Sequence, residues 1–227
     1  FAVIFTKEIF GGTGMNTFNV ALAARAYLFF SYPGSMTGDK VWAATDQICG
    51  LGYTLPDGFT MATPLGEIAQ GTAMNTSLSD MVVGLMPGSV GETSVIAIAI
   101  GAIILIWTNI ASWKTMLSVF AGGIVMALIF HSAGASPLQW YEHVVLGGFC
   151  FGAVFMATDP VTSARTERGK WIYGFLVGVM AVIIRVLNPG YPEGMMLAIL
   201  FGNMCAPLID YCVVQSNINK RAKRAKM

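Results

Sequence analysis

Five long apolar runs, at 95–110, 115–132, 144–158, 171–187 and 194–214, follow one another with little charge inside them, and nothing else in the chain restricts its fold so strongly. A membrane-crossing helix needs about 20 predominantly apolar residues to span a ~30 Å hydrocarbon core. Charged residues make up only 11% of the 227 and the mean hydropathy is +0.65, whereas about a quarter of a soluble domain is charged. The sequence therefore reads as an all-α integral membrane protein: a polytopic helical bundle of five clear spans in one transmembrane domain covering 1–227, with the lipid bilayer as its first partner.

The few charges set the orientation. Thirteen basic residues face 12 acidic ones, so there is no electrostatic footprint for nucleic acid. Five of the thirteen crowd into the tail, at Lys220, Arg221, Lys223, Arg224 and Lys226, which places the C-terminus in the cytoplasm by the positive-inside rule. Counting back, Lys114 and the connection at 159–170, with Arg165, Arg168 and Lys170, fall inside. The connection at 133–143 has no Lys or Arg and falls outside.

The same count puts the acidic, base-poor stretch 33–93 outside, and with it the run Asp57-Gly58-Phe59-Thr60-Met61-Ala62-Thr63. Pro56-Asp57-Gly58 is turn chemistry. A bland turn explains the stretch as it stands; the alternative is a displayed hydroxyl with a carboxylate nearby. Before it, 16–32 is apolar but slightly short for a full span, so it either crosses as a short helix or re-enters. Asn16 and Asn19, three apart, would share a helix face and offer donors and acceptors to a heterocycle's edge, or else cap the helix and bond a neighbour. Arg25 lies near the middle of that run, where a charge is costly and marks function by default.

Several other polar residues punctuate the spans. Asp210 and Asn203 are seven apart in the last run and face roughly one way; Asp210 either offers oxygen to a cation or pairs with Arg185. The spacings Gly147-Gly148-x-x-x-Gly152 and Gly174-x-x-x-Gly178, with Gly122-Gly123, read as close helix packing. Cys49, Cys150, Cys205 and Cys212 show no Cys-x-x-Cys pair and read as small hydrophobes. His131 and His143 read as boundary residues without a catalytic role.

Taken together, Gly11-Gly12-Thr13-Gly14-Met15-Asn16-Thr17-Phe18-Asn19, the stretch Asp57 to Thr63, Pro87-Gly88-Ser89-Val90-Gly91-Glu92-Thr93-Ser94, Ala157-Thr158-Asp159-Pro160-Val161-Thr162-Ser163 and the stretch opening Asn188-Pro189-Gly190-Tyr191-Pro192-Glu193-Gly194 resemble the B-subunit family of the sodium-translocating NADH:quinone oxidoreductases. The resemblance implies that the chain is the C-terminal portion of a longer subunit of a bacterial inner-membrane translocase. That complex carries electrons from NADH to quinone and moves Na+ with the help of partner subunits. The family's flavinylation motif matches Asp57, Thr60, Ala62 and Thr63, so Thr63 would carry covalent FMN through a phosphoester in the periplasm, with 33–93 as its flavin-bearing loop region; the family's usual glycine before the alanine is Met61 here. Asn16 and Asn19 match a pair around non-covalent riboflavin, and Asp210 matches an acidic residue associated with sodium uptake. The D subunit of the Rnf ferredoxin:NAD oxidoreductases shares the flavin and Asp-Pro motifs and is the alternative within the family. A cofactor-free channel or transporter, or a structural scaffold for partner subunits, is the rival from outside it. Neither reading assigns a catalytic residue to the chain.

Overall fold

The computed structural model describes residues 1–36, 41–42, 60–61, 63–69, 71, 76–89, 91–188 and 190–225. Among them the regular structure is helical apart from one short antiparallel pairing, Val41–Trp42 (β1) with Thr60–Met61 (β2). After a π-helical turn at Ile4–Glu8 come α1 (Val20–Ser31), α2 (Pro33–Met36), α3 (Pro64–Ala69), α4 (Leu78–Val83) and α5 (Val95–Trp107). Then follow α6 (Trp113–Ser132), α7 (Trp140–Val145), α8 (Phe149–Phe151) with a π-helical turn at Gly152–Met156, α9 (Glu167–Leu187) and α10 (Met195–Ala225).

Three of these helices, α6, α9 and α10, are long and apolar enough to cross a membrane. Two of the five expected spans are therefore not single long helices. The 95–110 run yields the 13 residues of α5. The 144–158 run is broken: α7 stops at Val145, Gly147 takes a left-handed φ of +64°, and the chain resumes as α8 and a π turn. Periodic hydrophobicity cannot reveal such a break, because apolar residues continue straight through it.

The core forms where α6 and α9 run side by side in the same direction. On α9 the buried positions Tyr173, Gly174, Val177, Gly178, Ala181 and Val182 recur at helical spacing and make one face. A Cβ on Gly174 would strike Ser118 Oγ, and one on Gly178 would strike the Val119 carbonyl. The glycines thus let the two backbones approach, as their spacing predicts. On its other side α9 meets α10, where Gly202 leaves room for Val177 and Tyr173. Tyr173 there donates to Asn203 Oδ1 at 3.0 Å, while the buried Asn203 Nδ2 has no partner among the described residues.

α10 is 31 residues long, about 46 Å at 1.5 Å per residue. It begins beside the 188–194 connection and carries the basic tail at its far end, so the bundle has two distinct ends. Outward faces are apolar: Ile100, Ile103 and Ile104 of α5 and Leu117, Val125 and Leu128 of α6 are exposed. The long apolar helices and these outward faces make the chain a membrane protein.

Candidate functional site

The break after α7 builds the site. A helix that ends leaves its last carbonyls without partners, and a cation is favoured there. Arg185, in the last turn of α9, supplies it. Its Nη1 donates to the carbonyl of His143 at 2.6 Å, and its Nη2 to the carbonyls of Leu146 at 3.2 Å and Glu193 at 3.3 Å. Arg185 is only 6% exposed, and its Nε has no partner among the described residues. One guanidinium thus ties the end of α7, the end of α9 and the 188–194 connection together. Gly147, where a Cβ would press on Leu65, lets α3 dock against the same junction.

Around this clamp sit more charges. Arg25 of α1 pairs with Glu193 at 2.7 Å, and the Tyr191 hydroxyl donates to the same carboxylate at 3.3 Å. Glu92, just before α5, is buried and accepts from the Ser89 N–H at 3.2 Å. Burial, reinforced by the Glu193 carboxylate, holds the Glu92 carboxyl above the usual range, with Arg25 pulling the other way. Burial likewise raises the Tyr191 phenol. Behind the clamp His143 is buried with Nε2 3.0 Å from Ser136 Oγ, and burial followed by the charge of Arg185 pushes its imidazole down to about 3.

Thr63 meets this cluster through a narrow crevice whose walls include Met86, Pro87, Glu92, Gly147 and Glu193. It stands immediately before α3, where its Oγ1 accepts from the Gly66 N–H at 3.1 Å, a cap made possible by Pro64 at the first helical position. Leu65 anchors the helix in an apolar cluster with Met81, Leu138 and Leu146. Accepting that bond uses one lone pair and leaves the hydroxyl hydrogen uncommitted among the described residues. The residue therefore fits an ester at Oγ1. Asp57 and Ala62 lie outside the described residues, and Thr60 is placed only by its backbone in β2.

The asparagine pair does not share a helix face. The helix expected from residue 16 starts at Val20; Asn19 is its cap, accepting from the N–H groups of Ala21 at 3.1 Å and Leu22 at 3.3 Å, and Asn16 precedes it in the turn. With its carbonyl so engaged, Asn19 has mainly its amide N–H groups to offer a ligand. At 12 residues, about 18 Å long, α1 is also too short to cross a ~30 Å core.

Asp210 lies at the tail end, away from Arg185, so the expected pairing of the two is not made. It accepts from the N–H groups of Arg165 at 2.8 Å and Thr166 at 3.0 Å and from the Thr166 hydroxyl at 2.6 Å, fastening α10 to the start of α9. In the connection before α9, Asp159 closes its own turn, accepting from the Val161 N–H and the Thr162 hydroxyl. Residue type alone does not single out Glu92, Tyr191, Arg185 and Glu193 as one site. The signal that exists is positional, since Arg185 and the Pro- and Gly-rich connection after it bring charge to a point where helices end.

Comparison with known proteins agrees with the resemblance carried by the motifs. The family model described as NQR2, RnfD, RnfE matches residues 1–219. A protein named as the B subunit of the Na(+)-translocating NADH-quinone reductase in Chromohalobacter salexigens is 51% identical, covering 99% of this chain and 54% of that protein. Its namesake in Klebsiella pneumoniae is 49% identical, covering 99% and 55%, and the one in Stutzerimonas stutzeri is 50% identical, again covering 99% and 55%. The chain spans about half the length of the curated relatives it matches. With nearly its whole length matched by the family model and half its residues identical to these relatives, it belongs to the NQR2, RnfD, RnfE family.

Proposed function

We propose that this chain is the flavin-carrying membrane portion of the B subunit of a sodium-translocating NADH:quinone reductase, which passes electrons from NADH toward quinone and couples them to Na+ movement. The observation that carries the reading is Thr63, whose hydroxyl hydrogen is uncommitted among the described residues and which lines a crevice with Glu92 and Glu193, in a chain half identical to proteins of that name. FMN joined to Thr63 through a phosphoester would supply one- and two-electron chemistry. The task of Thr63 and α3 is then to fix that group at one end of the bundle, while the charged residues beneath it set its electrostatic surroundings. Asn16 and Asn19, with amide N–H groups near the start of α1, are the proposed contacts of a second, non-covalent riboflavin. The tail lies in the cytoplasm and Thr63 in the periplasm of a bacterial inner membrane, supported by Lys220, Arg221, Lys223 and Arg224 at the opposite end of α10 from Glu193. The other subunits of the complex and quinone are the partners.

Asp210 is the proposed sodium ligand of the chain. Its carboxylate already accepts from three donors, so a cation must compete with the Thr166 hydroxyl and its neighbours, and binding there would loosen the junction of α9 and α10. Sodium uptake by the assembled complex should be lost in Asp210→Ala; undiminished uptake removes Asp210 from the path.

The decisive experiment is mass spectrometry of the peptide bearing Thr63 from protein made in its own membranes. It should carry the mass of FMN less one water, and Thr63→Ala should abolish it. An unmodified peptide from a competent complex would instead favour the channel or transporter reading, which predicts a colourless protein. The D subunit of an Rnf-type complex is the second reading, since the matching family model covers it as well. It would carry the same modification and differ in accepting electrons from reduced ferredoxin, which assay of the purified complex with each donor distinguishes.

A further inference from the structure

Two carboxylates share the crevice below Thr63, and they are not equivalent. Glu193 has a guanidinium partner at 2.7 Å and a phenolic donor. Glu92 has neither. It is 6% exposed, and among the described residues its hydrogen-bonding partner is the neutral Ser89, whose N–H donates to Oε1. The other oxygen, Oε2, faces Gly148, where a Cβ would lie 3.0 Å away, so the space it occupies exists because residue 148 has no side chain.

The neighbouring cations are committed elsewhere. Arg25 reaches from α1 to Glu193, and Arg185 spends its hydrogen bonds on three backbone carbonyls. Tyr191 donates to Glu193, Glu67 on the helix that follows Thr63 is engaged in an interaction of its own, and His143 lies behind Arg185, bonded to Ser136. An ionised carboxylate so buried, with one neutral residue to solvate it, is costly. Any further negative charge arriving in the same poorly solvated crevice raises that cost by direct Coulomb repulsion.

We propose that Glu92 is the redox-linked proton acceptor of the Thr63 crevice, gaining a proton when an electron reaches a flavin esterified to Thr63 and losing it when the electron leaves. This rests on the reading of Thr63 given above. The electron derives from reduced nicotinamide through the complex, the proton comes from the water at this end of the bundle, and the carboxylate becomes a carboxylic acid without bonding to the cofactor. Net charge in the crevice is then the same before and after electron transfer. Glu193 is unsuited to the role because Arg25 and Tyr191 both stabilise its ionised form.

The test is redox-difference infrared spectroscopy of the full-length protein in its native complex, for wild type, Glu92→Gln and Glu92→Asp, across the neutral and mildly alkaline range. Mass spectrometry of the Thr63 peptide is run on each sample. Reduction should bring up a protonated-carboxyl C=O band that shifts in D2O, disappears in Glu92→Gln and moves in Glu92→Asp. The same band surviving in Glu92→Gln with flavin still attached, or the lack of any such band in wild type, overturns the proposal. If Glu92→Gln loses its flavin, Glu92→Asp decides, and an unmoved band there overturns it equally. A wild-type Thr63 peptide without flavin overturns the reading of Thr63 and this proposal with it, and the mass measurement alone identifies that case.

Discussion

The two ends of the bundle both gather charged residues and treat them in opposite ways. At the tail end partly buried Lys114 and Lys170 both reach out to the exposed carboxylate of Glu167, and half-exposed Asp210 caps the approach to α9. At the Thr63 end Arg185 and Glu92 are buried, Arg25 and Glu193 pair in partial burial, and the backbone around them is irregular. The difference follows from how helices finish. Near the tail, α6 and α9 start regularly beyond short connections, and the carboxylate their lysines share stays in water. Near Thr63, α7 stops early and leaves carbonyls that draw Arg185 inward, next to the connections that carry Glu92 and Glu193. Charge is inside at one end because a helix breaks there.

Breaking the clamp should give the largest effect. Arg185→Leu leaves the carbonyls of His143, Leu146 and Glu193 without their donor and removes a cation beside two carboxylates. Removing one partner from such a buried charged set costs about 3–5 kcal/mol. Thermal unfolding in detergent should show it as a large drop in midpoint. A loss no greater than that of a surface lysine variant would erase the distinction between the ends.

Acid should single out the Thr63 end next. The unfolded chain takes a proton on His143 below its ordinary 6.5, whereas the folded chain keeps the imidazole neutral down to about 3. The unfolded state therefore binds more protons in that window, and stability falls as pH falls through it. His143→Gln should flatten this part of the stability profile while leaving the rest unchanged. An identical profile in the variant would mean that the acid sensitivity belongs to carboxylates alone.

Between the two ends, the glycine seam provides a control that has nothing to do with charge. Gly178→Val pushes a branched side chain against the Val119 carbonyl. The obstruction is backbone, so α6 and α9 must part, which costs no less than ordinary overpacking at about 1–3 kcal/mol. The loss should be independent of pH, in contrast to that attributed to His143, and a pH-dependent loss would couple the seam to the clamp.

These contrasts also mark what residue types and spacing can disclose. Gly174 and Gly178 are readable as a packing face because small residues four apart have one common use in apolar helices, and α6, α9 and α10 are readable from uninterrupted hydropathy. The break at Gly147 is not, because Leu146, Phe149 and Val154 keep the stretch apolar across it. Asn19 is misplaced for a related reason: in Asn-Thr-Phe-Asn-Val the helix could begin at either asparagine, and only the backbone decides which one caps it. Arg25 stands out as a costly charge, but its partner Glu193 is 168 residues away, and no local pattern reports a contact of that range. Thr63 emerges through the motif resemblance, while its neighbours Glu92 and Glu193 need the fold to bring three connections together.

The smallest expected effect tests the other half of the comparison. Lys114 pairs with Glu167, and Lys170 reaches the same carboxylate at 2.8 Å from one turn further along α9. The Glu167 side chain is 64% exposed, so water and salt screen both interactions and ordering the long side chains offsets much of the attraction. Lys170 would also remain to hold Glu167 after Lys114 is gone. Lys114→Ala should therefore leave the unfolding midpoint within error of wild type at any salt concentration. A clear, salt-sensitive drop would show the tail end to be an electrostatic junction in its own right, and burial would then no longer be what separates the two ends.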